Sequence, residues 1–410
     1  MNLADMLCYA DIAELTRIAE TYDCSCSSHS KNELIQSILS TVQRRDVLET
    51  RVDEITASDL RFLNSLLFES RAAYSLEELK ARALGSDPAV LRQQVLAAGV
   101  EFKPPEPPPL AKSPPKGGRT RKAKKTQEVP PMGPDEIARH AISRFKRFGW
   151  LFNGFSQQTR YLYQVPEDIK TRLCDALEHK YRASLVYTEE PPVYRDERSL
   201  ILDDFVQFMR YVRANDIPLT AEGVMYKRQV GQILELFAVH ENIPARGGWR
   251  FGYGRRFRDY PDRFSLIYDF AYYHKLIAEQ PDRLVLTEQG LGIADGTERM
   301  DPTGLYRFWL RVYKGAIPNL SALIQWVMRL SSNWLTVESL TSILQPLVRP
   351  YYYDTQQDIL ERRVLTMMLH LGMVRWGETA EGANVIRITP QGKSLISGNT
   401  LAFEDKLVID

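Results

Sequence analysis

Three copies of one short pattern, Thr-x-x-Gly after an apolar run, constrain the fold of this chain more than any other feature. The copies span residues 219–223, 286–290 and 388–392. The second and third share the form Thr-x-Gln-Gly, and each follows a helical stretch and two short apolar runs. Apolar β-branched runs suit strands, and a threonine that follows a strand can cap the next helix. The pattern therefore predicts a helix, a two-stranded ribbon and then a threonine-capped second helix.

That order of elements is typical of a winged-helix module. The last copy belongs to the clearest example, with three predicted helices at 320–330, 337–347 and 354–370. Its two wing strands are predicted at 372–376 and 384–388. We therefore predict a mainly α fold with short antiparallel hairpins, built as tandem winged-helix-like modules joined by a flexible linker.

Composition places the predicted domain boundaries. We predict a helical module over 1–102, made of a helix-extended-helix unit and a further winged-helix-like unit. A linker rich in proline and lysine follows over 103–134, and it is predicted to be disordered because proline-rich chain buries too little apolar surface. A winged-helix-like region over 135–300 and a C-terminal winged helix over 301–410 complete the predicted organisation.

The positive charge of the chain is local. The formal net charge is only +1, but the stretch from Lys103 to Pro130 contains eight lysines or arginines and two glutamates. That stretch carries +6, so the rest of the chain sums to −5. A flexible basic run can neutralise phosphates without reading sequence, although it can also be a solubilising tether. The candidate nucleic-acid-binding residues in this run are Lys116, Arg119, Arg121, Lys122, Lys124 and Lys125.

Three further groups of basic residues are candidates for nucleic-acid contact. The first lies on a predicted helix after the linker, the second in a loop over 246–258 and the third on the third helix of the last module. The loop has five arginines, four glycines, four aromatic residues and no acid. Arginine pairs with phosphate, and aromatic faces can stack on exposed bases. The candidates are Arg139, Arg144, Lys146, Arg147, Arg246, Trp249, Arg250, Arg255, Arg256, Arg258, Arg362 and Arg363.

A structural alternative exists for the second and third groups. The arginines of the 246–258 loop can pair with Glu241, Asp259 and Asp262, while its aromatic residues fill a core. The predicted wing tip of the last module, residues 377–382, is acidic and would meet phosphate unfavourably. On this reading, the last module binds protein rather than DNA.

Several short sequences resemble the bacterial helicase-associated domain proteins, which are related to the N-terminal region of XPB-type helicases. They are Gly149-Trp150-Leu151, Val165-Pro166-Glu167-Asp168, residues 217–223 and residues 388–395. The resemblance covers about 135–398, and it implies association with DNA, often without a motor in the same chain. It carries no defined functional residues to this sequence.

The N-terminal segment has a weaker resemblance of its own. Leu15 and Ile18 give one helix an apolar face, and Ser30 with Glu33 forms a capping-box pattern for a second helix. This arrangement resembles the small nucleic-acid-binding modules of the SAP and Rho N-terminal type. A plain helical hairpin is the alternative.

We expect no catalysis, cofactor or metal in this chain. The sequence Gly392-Lys393-Ser394 mimics the end of a phosphate-binding loop, but Arg387 stands where that loop requires glycine. The cysteine pair Cys24 and Cys26 is spaced too closely for a usual zinc site, even with His29 and Cys8 nearby. Four cysteines in 410 residues indicate a reducing, cytoplasmic setting, and no apolar run is long enough to span a membrane.

The sequence therefore predicts a non-catalytic DNA-binding protein that is accessory to a helicase or nuclease in repair, recombination or transcription control. Its expected partners are DNA and a helicase or nuclease subunit, whereas a membrane partner is not expected. The alternative is a protein-protein interaction adaptor whose winged-helix modules do not bind nucleic acid. Oligomeric state stays open.

Overall fold

The chain divides into two compact units, each formed by two separate stretches of sequence. The computed structural model describes residues 1–24, 30–69, 71, 73–86, 133–244 and 252–398. Unit 1 comprises Met1–Gln43 and Arg71–Ile169, and unit 2 comprises Arg44–Ser70 and Lys170–Asp410. This division differs from the predicted boundaries, because the sequence on both sides of the predicted linker belongs to unit 1.

Unit 1 is helical with one small sheet. Helices α1, α2 and α3 come first, and strand β1 leads directly into helix α6. Helix α7 follows the inserted segment 87–132, and the β2–β3 hairpin follows α7. The bounds are α1 Leu3–Tyr9, α2 Ile12–Thr21, α3 Lys31–Val42, β1 Tyr74–Ser75, α6 Leu76–Ser86, α7 Pro134–Arg147, β2 Phe152–Asn153 and β3 Leu162–Gln164.

The sheet of unit 1 identifies a winged-helix module. Its antiparallel strands are ordered β1-β3-β2, so the first strand lies beside the last strand of the hairpin. Tyr74 pairs with Tyr163, and Phe152 pairs with Gln164. The chain order is strand, helix, helix and two-stranded wing, with α7 as the third helix of the module. The predicted linker is an insertion between the second and third helices of this module.

Helices α4 (Arg45–Glu54) and α5 (Ala57–Leu67) belong to unit 2, although they precede β1 in sequence. The reason is a set of polar contacts at the buried face of α5. The Trp326 indole N–H donates to Asn64 Oδ1 at 2.6 Å, and Arg61 Nη1 donates to the Pro346 carbonyl at 2.8 Å. Arg61 and Asn64 are both buried, and these hydrogen bonds offset the cost of burying their polar groups.

The remaining elements of unit 2 form two more winged-helix modules. Helix α8 (Glu167–Ala183) contains the boundary between the units, and strand β4 (Val193–Arg195) follows it. The first of the two modules has bounds α9 Leu200–Ala214, β5 Ile217–Pro218, α10 Lys227–Leu236, α11 Asp262–Tyr273, β6 Ile277–Glu279, β7 Arg283–Leu286 and α12 Glu288–Asp295. The preceding elements are α8 Glu167–Ala183 and β4 Val193–Arg195, and α13 Pro302–Tyr313 follows.

The last module repeats this order. Its third helix is continuous but contains a π-helical segment, Ile359–Leu365, between α16 and α17. The bounds are α14 Leu320–Leu330, β8 Leu335–Thr336, α15 Val337–Leu344, a 3-10 turn Gln345–Leu347, α16 Gln356–Asp358, α17 Thr366–His370, β9 Val374–Glu378, β10 Asn384–Ile388 and α18 Pro390–Ser397. The helices and the second wing strand agree with the prediction, whereas the first wing strand, β9, begins and ends two residues later than predicted.

Strand order confirms the relationship between the modules. The sheets run β5-β7-β6 and β4-β9-β10-β8, so in each the short first strand pairs with the last wing strand. Strand β4 adds a fourth member at the edge of β9. The predicted fold class is confirmed, because the described chain is mainly helical with small antiparallel sheets.

The second and third Thr-x-x-Gly copies have the same structural role, which is to cap the helix that follows the wing in each module. Thr287 accepts from the Gly290 amide at 3.2 Å, and Thr389 accepts from the Gly392 amide at 2.9 Å. Each threonine hydroxyl also donates to a carbonyl at the start of the wing. A Cβ at Gly290 would lie 2.0 Å from the Leu276 oxygen, and only glycine fits there.

The first copy has a different role. Gly223 has a φ of +71° and donates to the Thr220 carbonyl at 2.8 Å, which closes a turn. Helix α10 begins later, at Lys227. The resemblance of this copy to the others is therefore one of sequence rather than of structural position.

No helix within the described ranges has both the length and the apolar character needed to cross a lipid bilayer.

Candidate nucleic-acid interface

The third helices of the three modules differ sharply in exposure. In a DNA-binding helix-turn-helix, this is the helix that contacts the nucleic acid. In unit 2, every residue of α11 from Arg263 to Ala271 is buried. In the last module, only Gln357 and Arg362 of 356–370 are exposed. Only α7 of unit 1, among these three helices, presents a whole face to solvent.

Helix α7 has this exposed face because its apolar residues recur on one side only. Ala138, Ile142 and Phe145 are buried, at the spacing of three to four residues that defines one face of a helix. Its C-terminus is fixed by Gly149, whose φ of +64° allows the chain to turn, and by Trp150, which packs edge-on against Phe145.

The exposed side of α7, next to its buried face, borders an open cleft of about 580 Å³. The exposed side chains of Arg139, Ser143 and Arg147 recur every four residues, so they lie on one line along the helix. Helix α2 contributes Glu14 and Arg17 across the cleft, and Tyr163 of β3 forms part of its wall. Leu76, His140, Ile142 and Lys146 complete the lining.

The cleft carries more positive than negative charge. Its lining contains four cations, Arg17, Arg139, Lys146 and Arg147, and one acid, Glu14. Lys146 Nζ lies 3.2 Å from Glu14 Oε1 and donates to Asn153 Oδ1 at 2.7 Å. The remaining charge is therefore concentrated on the three arginines.

Two of these arginines, Arg17 and Arg147, form no ion pair with any residue that the structure describes, whereas the third, Arg139, does. Arg139 pairs with Asp135 at 2.6 Å, and Lys80 pairs with the other oxygen of Asp135 at 2.8 Å. The hydrogen bond from Lys80 and then that from Arg139 lower the pKa of Asp135. Arg17 and Arg147 are exposed, and they are the cations of the cleft that are open to an anionic ligand.

The candidate nucleic-acid-binding residues of unit 1 therefore differ in exposure and in ion pairing. Arg147 is exposed at the cleft, whereas Arg139 and Lys146 lie there but are paired. Arg144 is half-buried and does not line the cleft. Sequence reasoning missed Arg17 and His140. Arg17 could not be found from sequence, because more than a hundred residues separate it from α7.

The predicted basic loop of unit 2 is internally paired. Arg255 forms a bidentate pair with Glu279, and its guanidinium lies 4.2 Å from the Tyr272 ring centroid. Arg256 is only 5% exposed, and it donates to Glu279 at 2.9 Å and to the Gly223 carbonyl. Burial acts to raise the pKa of Glu279, but hydrogen bonds from these arginines and Tyr268 outweigh it and leave the pKa lowered.

This arrangement corrects part of the prediction for the loop. Arg256 cannot contact a nucleic acid while its guanidinium is buried, and Arg255 is committed to Glu279. Tyr253 and Phe257 are buried core residues, as the structural alternative predicted. Arg258 is about half exposed and lies 3.8 Å from Glu222 and 3.7 Å from Asp259. Arg246, Trp249 and Arg250 lie outside the described residues, as does the basic run 116–125.

Arg363 of the last module is also a structural residue, which corrects a second prediction. It is 3% exposed, and it pairs with Asp262 at 2.6 Å and with Asp354 at 2.9 Å. Its guanidinium also lies 4.6 Å from the ring centroid of Phe257. Burial acts to lower the pKa of Arg363, but the two aspartates outweigh it and raise the pKa. Its neighbour Arg362 is exposed, 3.9 Å from Asp358.

Within the residues that the structure describes, no cluster of three or more histidine, cysteine or acidic side chains could hold a metal ion. Cys26 and His29 of the considered zinc set lie outside the described residues. A buried cluster of Arg263, Asp204, Glu197 and His370 lies inside unit 2, where Arg263 is 2.5 Å from Asp204 and 3.7 Å from Glu197. The guanidinium nitrogens of Arg263 form no well-aligned hydrogen bond within the described residues, so ion pairing alone offsets their burial.

Comparisons of the chain with protein-family models, with curated proteins and with solved structures gave no match. The resemblance to helicase-associated domain proteins therefore stays a prediction.

Proposed function

We propose that the protein is a non-catalytic DNA-binding protein and that unit 1 is its DNA-binding part. The observation that carries the proposal is the exposed basic face of α7, the third helix of its winged-helix module. It faces a cleft whose cations Arg17 and Arg147 have no ion-pair partner among the described residues. Unpaired arginines beside an open cleft match the phosphate groups of a nucleic-acid backbone.

The charge distribution along α7 favours backbone contact over reading of base edges. The first turn carries Asp135 and Glu136, while the last turn carries Arg144, Lys146 and Arg147. Helices that read the major groove enter it with N-terminal residues, and two acids there would be repelled by phosphate. Contact through the last two turns positions the protein on DNA without specifying sequence.

The inserted segment strengthens this proposal. Its basic run, 116–125, joins the chain between α6 and α7, both of which belong to unit 1. Its six lysines and arginines are therefore tethered to the same unit as the cleft. A tethered basic run raises the local concentration of cations beside bound DNA and adds phosphate contacts of its own.

A salt titration of DNA binding tests the proposal. Each phosphate contact contributes about −0.9 to the slope of log affinity against log salt concentration. We expect Arg147→Ala to reduce the size of that slope by about one, and the Arg17→Ala/Arg147→Ala double variant to reduce it by about two.

Arg228→Ala is the matched control, because Arg228 is an exposed arginine on α10 of unit 2. It should leave both the affinity and the slope unchanged. Equal slopes for the wild type and the double variant would contradict the proposal, as would a lack of DNA binding at low salt.

Unit 2 favours the second candidate function, a protein-protein interaction adaptor. The observation is that its third helices are buried and that Arg255, Arg256 and Arg363 are used internally. If unit 2 serves only as an adaptor, reversing the charge at the exposed Arg258 and Arg362 should leave DNA affinity unchanged. A loss of affinity would assign unit 2 to DNA binding as well. The partner predicted from sequence, a helicase or nuclease subunit, belongs to the proposed DNA-binding function.

A further inference from the structure

The wing of unit 1 carries aromatic side chains that are not used in any core. These side chains lie in the segment 154–161, which joins the wing strands β2 and β3. Tyr161 is 68% exposed and Phe155 is 43% exposed. Phe155 stacks on Tyr9 of α1, with ring centroids 4.2 Å apart and planes 12° from parallel. Single exposed aromatic residues are common, but two on one wing beside a basic face require an explanation.

Tyr161 lies close in sequence to the wall of the cleft. It is in the turn that precedes β3, two residues before Tyr163. Tyr163 lines the cleft together with Arg139 and Arg147. The last turn of α7 is also tied to the wing, because Lys146 donates to Asn153 at 2.7 Å. Asn153 in turn donates to the Arg160 carbonyl at 3.4 Å, so hydrogen bonds connect the last turn of α7 to the residue before Tyr161.

The wing holds Tyr161 in a defined position. Ser156 and Thr159 close the turn with a hydrogen bond from the Thr159 amide to the Ser156 carbonyl at 3.1 Å. The guanidinium of Arg160 lies 4.6 Å from the Tyr161 ring centroid. One face of the ring is covered by this cation, and the high exposure of the side chain leaves the other face open to a flat ligand.

We propose that Tyr161 stacks on an exposed base, so that the preferred ligand of unit 1 is DNA with a junction between duplex and single strand. This inference rests on the proposed function. A continuous duplex presents only phosphates, sugars and base edges, whereas a junction exposes the face of the last base pair and unpaired bases. Stacking on these faces adds affinity that does not depend on sequence. The basic cleft would hold the adjoining duplex backbone.

A competition experiment with two DNA probes tests the inference on the full-length chain. One probe is a forked duplex, and the other is a covalently closed circular duplex, which has no ends. The wild type should bind the fork roughly tenfold more tightly per site, because stacking on one base is worth about one factor of ten or more. Tyr161→Ala should remove this preference and leave affinity for the circle unchanged.

Two variants control for indirect effects. Tyr161→Phe keeps the ring and should keep the preference for the fork. Tyr226→Ala removes a comparably exposed tyrosine of unit 2 and should change neither affinity. Equal wild-type affinity for fork and circle would overturn the inference, and so would an unchanged preference in Tyr161→Ala.

The two proposals fail in different ways. Failure of the proposed function would appear as absence of binding to both probes, or as an unchanged salt slope in the Arg17→Ala/Arg147→Ala variant. Failure of the present inference alone would appear as salt-dependent binding of both probes with no role for Tyr161.

Discussion

Replacement of Arg363 by alanine separates a structural role from a nucleic-acid role for this residue. The guanidinium is buried between Asp262 and Asp354, whose side chains are 28% and 22% exposed. Removing one partner of a buried ion pair costs about 3–5 kcal/mol because the remaining charge is uncompensated. Partial exposure lets both aspartates regain some water, so we expect a loss near the lower limit, about 3 kcal/mol.

The assay is urea unfolding followed by tryptophan fluorescence, together with DNA binding under native conditions. Arg363→Ala should lower the free energy of unfolding by about 3 kcal/mol, and the folded fraction should bind DNA with wild-type affinity. Arg362→Ala is the matched control, and its exposed side chain should change stability by no more than about 0.5 kcal/mol. A variant at position 363 that keeps wild-type stability but loses DNA affinity would refute this account of the residue.

Two further predictions concern unit 2. Burial raises the pKa of Asp269 to about 6 from an ordinary 3.8, so the folded state binds the carboxyl proton more tightly than the unfolded state does. Proton binding therefore stabilises the folded state at low pH, and this stabilisation is lost as the pH rises through 6. The stability of the wild type relative to Asp269→Asn should therefore fall by about 2 kcal/mol between pH 4 and 7 in urea unfolding, and parallel profiles would contradict this. Gly392→Ala should cost about 2 kcal/mol, because a Cβ there would lie 2.2 Å from the Met373 oxygen. Gly231→Ala, on a helix with open space around it, should instead raise the thermal midpoint, and equal tolerance of both changes would contradict the packing argument.

Local sequence determined much of the fold of unit 2. The Thr-x-x-Gly copies at 286–290 and 388–392 located two wings correctly, because a capping threonine and a tightly packed glycine are local requirements. The helices over 320–370 agreed with their apolar spacing for the same reason. The module of unit 1 has no such pattern after β3, and its long insertion separates the helices that form it.

Tertiary structure decided which basic residues are available to a ligand. The sequence gives no indication that Arg256 reaches Glu279 or that Arg363 reaches Asp262, because those acids lie on other elements of unit 2. From the arginine-rich composition of 246–258 we therefore expected more unpaired positive charge than its described part, residues 252–258, contains. Conversely, Arg147 was a candidate from sequence but Arg17 was not, and only the packing of α2 beside α7 places them at one cleft.

Site-specific photocrosslinking distinguishes DNA contact by α7 of unit 1 from DNA contact by the last module of unit 2. A photoreactive amino acid replaces Ser143, on the exposed line of α7, or Gln357, which is exposed on the third helix of the last module. Both variants are irradiated with forked DNA at low and at high salt. We expect salt-sensitive crosslinks from position 143 and none from position 357. Crosslinks from 357 alone, or from neither position while DNA is bound, would contradict this expectation.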